Sequence, residues 1–183
     1  LEDVKKTFGD ARRTEIVDAD VELSIEDLIK DEDVAITVTK AGYIKRTPVA
    51  TYSRQGRGGK GRLGATAKND DFVEHLFVAS THAYLMIFTD DGQAYKIKVH
   101  EIPEAAPAAR GKAVVNLVQI SGERKLVAVM PVRDFGEEVY LTMVTRNGVI
   151  KKSALADFQN IRSNGINAIN IDEGDELLDV IRT

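Results

Sequence analysis

Short runs of hydrophobic and β-branched residues recur along the chain, and the same order of features occurs three times. The three stretches are AITVTKAGYIKRTPVATY (35–52), YLMIFTDDGQAYKIKVHEI (84–102) and YLTMVTRNGVIKKSALADF (140–158). Each contains an apolar run, a threonine, a turn that ends in glycine, and a second run that carries cations. Asp-Gly in the second stretch and Asn-Gly in the third favour tight hairpins, and Lys40-Ala41-Gly42 in the first is a weaker version of the same signal. Each stretch therefore predicts two antiparallel strands joined by a two-residue turn.

A second half of the repeat follows each hairpin. It begins with a basic glycine element, RGGKG (57–61), RGKAV (110–114) or RSNGI (162–166), and continues into further strand-like runs. The turn glycines Gly42, Gly92 and Gly148 are 50 and 56 residues apart. About four strands in roughly fifty residues is the size of a propeller blade. One blade cannot bury both faces of its sheet, so its neighbours must pack against it.

The repeats predict an all-β fold of propeller-like blades over residues 34–183, with approximate blade boundaries at 34–83, 84–139 and 140–183. Helix signals are confined to the N-terminal lead-in, residues 1–33. There, Ser24 and Asp27 resemble a capping box on a short helical turn, and residues 1–8 resemble the end of a helix.

Composition narrows the function classes. The 183 residues include no cysteine, which excludes disulfides, thiolate nucleophiles and cysteine metal sites. No apolar run is long enough to cross a membrane, and the N-terminus does not resemble a signal peptide. We therefore expect a soluble, cytoplasmic protein with no membrane partner.

Charge is distributed unevenly, although the net charge is only −4. Residues 1–33 carry twelve acidic and five basic side chains, whereas residues 34–68 carry eight basic side chains and no acidic one. An acid-free run of this length indicates a focused positive patch.

The centre of that patch is RQGRGGKGR (54–62). Gly56, Gly58 and Gly61 match the dinucleotide pattern G-x-G-x-x-G, but no amphipathic helix follows to meet a pyrophosphate. The phosphate-binding loop of NTPases is also excluded, because Gly61 stands where Ser or Thr must bind magnesium. A solvent-exposed loop that only aids solubility remains one reading. The other is phosphate binding, since glycines leave the backbone N–H groups unshielded between the cations.

Cations recur at corresponding places in the later repeats, which favours the second reading. A band of cations on successive blades is typical of a track for a polyanion. The predicted basic rim consists of Lys45, Arg46, Arg54, Arg62, Lys96, Lys98, Arg110, Lys112, Arg146, Lys151, Lys152 and Arg162.

The segment QGRGGKG (55–61) resembles the seven-residue box Q-R-R-G-G-K-G of gyrase A, the DNA-cleaving component of DNA gyrase, with Gly56 in place of the first Arg of the box. FGDARRTEIV (8–17), EDLIKDEDV (26–34) and GYIKRTPVATY (42–52) are similar to the segments that lead into that box. The chain is thus identified as a member of the family of gyrase A C-terminal domains, a resemblance that covers essentially its whole length.

The resemblance implies a six-bladed β-pinwheel whose blades exchange strands and which wraps duplex DNA around a basic rim. The three repeats would form about half of it, and a half ring would expose unpaired strand edges. The implied DNA-binding box residues are Gln55, Gly56, Arg57, Gly58, Gly59, Lys60 and Gly61.

The resemblance also implies a place in a larger enzyme. Gyrase B, together with the rest of gyrase A, would complete an A2B2 holoenzyme that introduces negative supercoils. ATP, magnesium and the DNA-cleaving tyrosine would belong to those other parts, so we expect no catalytic residue, metal or cofactor in this chain.

Two alternatives stay open. One is the corresponding C-terminal domain of topoisomerase IV, an enzyme that mainly decatenates. The other is a propeller-like scaffold whose basic track meets an acidic protein tail. We expect His75, His82 and His100 to be satisfied structural histidines rather than metal ligands, and DEGDE (172–176) to be a solvated turn.

Overall fold

The computed structural model describes residues 2–9, 25–52, 71–120, 124–136 and 138–183. An α-helix, α1 (Glu2–Phe8), and a 3-10 turn (Ile25–Leu28) precede the first strand, as the sequence predicts. The strands are β1 (Asp33–Thr39), β2 (Tyr43–Pro48), β3 (Val73–Ser80), β4 (Tyr84–Thr89), β5 (Gln93–Lys98), β6 (Lys112–Ala113), β7 (Leu126–Val132), β8 (Tyr140–Thr145), β9 (Ile150–Ala154), β10 (Ile166–Asn167) and β11 (Leu177–Arg182). No helix within these ranges is long and apolar enough to cross a membrane.

The strands form three antiparallel sheets. Sheet A has the order β3-β1-β2-β6, sheet B the order β10-β5-β4-β7, and sheet C the order β11-β8-β9. Each sheet is built on the hairpin of one repeat, so the predicted all-β fold with a threefold internal repeat is confirmed.

The three hairpins share one turn geometry. Their last strand pairs are Val38 with Ile44, Phe88 with Ala94, and Val144 with Ile150. In each turn the glycine N–H donates to the carbonyl of the threonine three residues earlier, at 2.9 to 3.0 Å. Each glycine has a positive φ of 77° to 88°. In the first two hairpins three residues, the last of them glycine, separate the strands, so the prediction of a two-residue turn is wrong by one residue.

Neighbouring sheets exchange strands. The two-residue strand β6 follows the second hairpin in the chain but pairs with β2 of sheet A. In the same way β10 follows the third hairpin but pairs with β5 of sheet B. The basic glycine element of one repeat therefore completes the sheet of the preceding repeat.

A glycine marks the place where each exchanged strand passes the preceding hairpin. Gly111 has a φ of 90°, and a Cβ atom there would overlap the Ile44 carbonyl. Gly165 has a φ of 78°, and a Cβ atom there would lie 2.7 Å from the Tyr95 ring. Both the backbone conformation and the close approach thus require glycine at these two positions.

The hydrophobic core consists of two layers on either side of sheet B. Leu85 and Ile87 of β4 face sheet A, whereas Met86 and Phe88 face sheet C. All four side chains are fully buried, because successive residues of a strand point to opposite faces and both faces are covered.

Short 3-10 turns add to the core, and the repeat pattern did not predict them. They comprise Val49–Thr51, Val99–Glu101, Val114–Asn116 and Leu155–Phe158. Val99, Val114, Leu155 and Phe158 of these turns are buried.

A pair of glycine substitutions tests the crossing geometry. Gly148→Ala places a side chain in open space at a positive φ, so we expect a loss of about 1 kcal/mol in unfolding free energy from backbone strain alone. Gly165→Ala has the same strain plus overlap with Tyr95, which should cost about 1 to 3 kcal/mol more. Urea unfolding of both variants measures the difference, and equal losses would contradict the close approach.

Candidate nucleic-acid interface

Part of the predicted interface lies outside the described residues. This applies to the box residues Gln55, Gly56, Arg57, Gly58, Gly59, Lys60 and Gly61 and to the flanking Arg54 and Arg62. Their contacts with DNA stay a prediction. The other cations of the predicted rim fall into three groups. One is buried, several bind a carbonyl oxygen or an acidic side chain of another part of the chain, and the rest are exposed.

Lys45 is the buried cation. Only 1% of its surface is exposed, and its Nζ donates hydrogen bonds to the carbonyl oxygens of Ala106 (3.3 Å), Ala109 (2.9 Å) and Pro107. Burial lowers the pKa of the Lys45 ammonium below its usual value. Its assignment to an exposed rim is therefore corrected: Lys45 holds the loop before the exchanged strand β6 against sheet A.

Arg46 and Lys96 occupy corresponding positions in β2 and β5, four residues after the turn glycine. Arg46 Nε donates to the Ile102 carbonyl at 2.7 Å, and Lys96 Nζ donates to the Gln159 carbonyl. Each acceptor lies directly after a 3-10 turn of the following repeat. These two cations therefore tie adjacent repeats together, which limits their availability to a ligand.

Acidic side chains pair with two further rim cations and with Arg46. Arg46 Nη1 lies 3.3 Å from Glu104 Oε2, and Arg146 pairs with Glu176. Lys98 pairs with Glu26 of the lead-in, and this hydrogen bond raises the pKa of Lys98 and lowers that of Glu26. These carboxylates therefore neutralise part of the positive charge that the sequence assigns to the rim.

The exposed group lies on and beside the exchanged strands. Arg110 stacks on Tyr43, with 3.6 Å between its guanidinium carbon and the ring centroid. Lys112 in β6 and Arg162 before β10 are exposed and make no ion pair with any residue that the structure describes. The exchange thus moves Arg110 and Lys112 to the edge of sheet A and Arg162 toward the edge of sheet B.

Sheet C adds two lysines of β9 with exposed side chains. Lys151 Nζ donates to the Ala168 carbonyl at 2.6 Å, and Lys152 Nζ lies 4.3 Å from the centre of the Tyr140 ring. A cation held over an aromatic ring keeps its charge while its position is restricted. The exposed group therefore places positive charge beside all three sheets.

Two arginines with structural contacts were missed in the sequence. Arg124 pairs with Asp91 at 2.8 Å and donates to the Tyr95 hydroxyl at 2.7 Å. Arg133 follows β7, is 78% exposed and lies 3.6 Å from Asp31. Arg133 lies two residues before Phe135, whose ring contacts Lys96. Its proximity to the rim is therefore visible in the structure but not in the sequence.

The histidines bear out the structural expectation only in part. His82 Nε2 lies 2.8 Å from the Ile29 carbonyl oxygen. His75 Nε2 and His100 Nδ1 are buried and have no hydrogen-bond partner among the described residues. Within the same ranges, no group of three His, Asp or Glu side chains is arranged to hold a metal ion.

The exposed lysines and arginines described above can donate charge-assisted hydrogen bonds to an anion.

Comparison with known proteins assigns the family. The profile of the family described as "DNA gyrase C-terminal domain, beta-propeller" matches residues 33–80, 83–133 and 140–183. The chain belongs to this family. The three matched ranges correspond to the three hairpin repeats, and the first range begins with β1.

Curated relatives agree with the family assignment. The chain is 47% identical over 181 residues to the gyrase A protein of Campylobacter jejuni and 48% identical over 181 residues to that of Mycolicibacterium smegmatis. Both alignments cover 99% of this chain but only 21% and 22% of the relatives. The chain therefore spans about a fifth of the length of the curated relatives it matches.

Solved structures show the same fold. The C-terminal domain of DNA topoisomerase IV has a TM-score of 0.73 and 31% identity over 85% of this chain and 47% of that one. A DNA gyrase A C-terminal domain has a TM-score of 0.65, covers 83% of this chain and 48% of that one, and at 23% identity supports the fold alone. The predicted propeller-like fold of the gyrase C-terminal domain is thus confirmed.

Two lysine substitutions distinguish a structural from a surface cation. Lys45→Met leaves three carbonyl oxygens without their charged donor, so we expect a loss of about 1 to 3 kcal/mol in unfolding free energy. The matched variant Lys112→Met alters an exposed side chain and should change the free energy by less than about 0.5 kcal/mol. Urea unfolding measures both values, and a similarly small effect for Lys45→Met would argue against its buried role.

Proposed function

We propose that the chain binds duplex DNA without sequence preference and bends it around its basic edge. The observation that carries the proposal is the exposed group, spread beside successive sheets and consisting of Arg110, Lys112, Lys151, Lys152 and Arg162. Cations spread over several sheets suit an extended polyanion better than a compact ligand. Family membership supports the same function.

Backbone contacts account for this mode of binding better than base readout. No recognition helix is present among the described residues, where α1 spans only seven residues. Lysine and arginine bind phosphates in any sequence, and the duplex is then held by charge and by the shape of the protein. Each phosphate that is neutralised releases condensed counterions, so the affinity must fall as salt rises.

We further propose that the bound DNA serves a larger enzyme. In the cytoplasm, the rest of gyrase A, together with gyrase B, would complete an A2B2 gyrase, use ATP and magnesium, and cleave the DNA. A wrap around this domain would present a neighbouring segment of the same DNA to the enzyme gate. The strand passage would then have one preferred direction and introduce negative supercoils.

A topoisomerase IV domain is the second candidate, and one observation favours it. The topoisomerase IV C-terminal domain has the higher TM-score and identity of the two solved structures compared above, 0.73 and 31%. The gyrase proposal is favoured by the gyrase A relatives at 47% and 48% identity and by the nearly complete box at residues 55–61. Supercoiling of relaxed plasmid by the complete enzyme distinguishes the two candidates.

The salt dependence of DNA binding tests the proposed interface. If about six phosphates are neutralised, a plot of log K against log salt should have a slope near −5. Arg110→Ala with Lys112→Ala should make the slope about 2 units less steep. The charge-matched control, Lys5→Ala with Lys6→Ala on exposed α1, should leave it unchanged. A flat response of the wild type, or a strong preference for one sequence, would refute the proposal.

The box is tested in the complete enzyme. Arg57→Ala with Lys60→Ala removes two cations that would hold DNA where a wrap closes, so we expect loss of negative supercoiling with only modestly weaker binding. DNA cleavage and ATP-independent relaxation should persist, because the cleaving tyrosine would lie elsewhere. Plasmid topology gels with and without ATP measure these activities. Unchanged supercoiling would favour the solubility role of the loop, and loss of cleavage would place the box in the catalytic core.

A further inference from the structure

An acidic part of the lead-in lies against one end of sheet B. We call residues 25–32 the docking segment. Its C-terminal half is fixed by hydrogen bonds to the turn between β3 and β4. The Thr81 hydroxyl donates to the Lys30 carbonyl at 2.8 Å and accepts from the Glu32 N–H at 3.2 Å. Neutral contacts of this kind hold the segment independently of any cation.

Three cations lie at the same end of sheet B. Lys96 and Lys98 lie 4.7 and 5.2 Å from the centre of the Tyr84 ring, and Arg133 follows the end of the neighbouring strand β7. We call these three the sheet B cation cluster. Burial, and secondarily the charge of Lys98, lower the pKa of Lys96. Cations gathered in this way attract an anion.

The docking segment supplies two anions to this cluster. The Glu26 carboxylate pairs with Lys98, and Asp31 lies 3.6 Å from Arg133. Asp31 also accepts a hydrogen bond from the Ser80 hydroxyl at 2.5 Å. The chain therefore neutralises part of a basic surface with its own carboxylates.

The two carboxylates are held differently. Asp31 belongs to the half that is fixed by Ser80 and Thr81. Among the side chains that the structure describes, Lys98 is the only one that pairs with Glu26. Both partners are partly exposed, with 27% of the Lys98 side chain and 31% of the Glu26 side chain accessible. The Glu26 end can therefore exchange its partner at the surface while the other end stays in place.

We propose that Glu26 is an internal competitor of DNA, which occupies Lys98 until a backbone phosphate replaces it. A phosphate oxygen accepts the same charge-assisted hydrogen bond as a carboxylate oxygen, and DNA offers many phosphates at once. The inference rests on the proposed function, because it assigns a regulatory contact to the same DNA-binding surface. The lead-in thereby lowers the affinity of the domain for DNA by electrostatic competition.

Glu26→Gln removes the competing charge and keeps a side chain of the same shape. The variant should bind a mixed-sequence linear duplex about fivefold more tightly at about 0.1 M salt, because one more cation can release a counterion from DNA. For the same reason its plot of log K against log salt should be steeper by about 1 unit. Glu2→Gln is the matched control, since it makes the same charge change on α1, which has no buried residue.

A double-mutant cycle shows whether the effect passes through Lys98. In a Lys98→Met background, Glu26→Gln should have only the small effect of Glu2→Gln, because the cation it would release is gone. A Glu26→Gln gain that persists without Lys98 would overturn the inference. So would a Glu26→Gln variant that binds like Glu2→Gln.

The wild-type measurement separates this inference from the proposed function. Salt-dependent binding of the wild type with no specific gain in Glu26→Gln would refute the competitor and leave the DNA-binding proposal standing. A wild type that does not bind the duplex would refute both. Far-UV circular dichroism of each variant verifies that the β structure is intact.

Discussion

The close passage of one repeat across the hairpin of the preceding repeat is the contact on which the rest of the structure depends. It places β6 on sheet A and β10 on sheet B, so adjacent repeats are joined by backbone hydrogen bonds as well as by a hydrophobic layer. Only a residue without a side chain fits at Gly111 and Gly165. The two glycines therefore determine how neighbouring sheets are joined and where the cations beside them lie.

Lysine and arginine serve two purposes in this fold, and their surroundings decide which. Lys45 is buried and bonded to carbonyl oxygens, so its charge stabilises the inside of the molecule. Lys112, on the strand exchanged onto the same sheet, has an exposed side chain and adds to the positive potential outside. A count of cations along the chain adds these two contributions together, although only the second can attract a polyanion.

The sequence predicted the structural features that depend on residues close together in the chain. The apolar runs and the turn glycines identified the three hairpins. The turns of the first two are one residue longer than expected, because a glycine of positive φ follows the two central residues of each turn. The exchanged strands have two residues each, too few for a periodic pattern, and were expected only from the family resemblance. The site was predicted less well, since the acceptors of Lys45 lie 61 to 64 residues away and Glu26 lies 72 residues from Lys98.

The offset between repeat and sheet also affects how such a chain can be lengthened or shortened. A junction placed between two sequence repeats leaves a sheet without its outer strand, whereas a junction placed between two sheets divides a repeat. Modular engineering, or gene duplication within the family, has to keep each repeat undivided and each sheet complete. The smallest portable unit therefore runs from a hairpin to the exchanged strand that completes the sheet of that same hairpin. Such a unit includes the next hairpin, so units of this kind overlap along the chain.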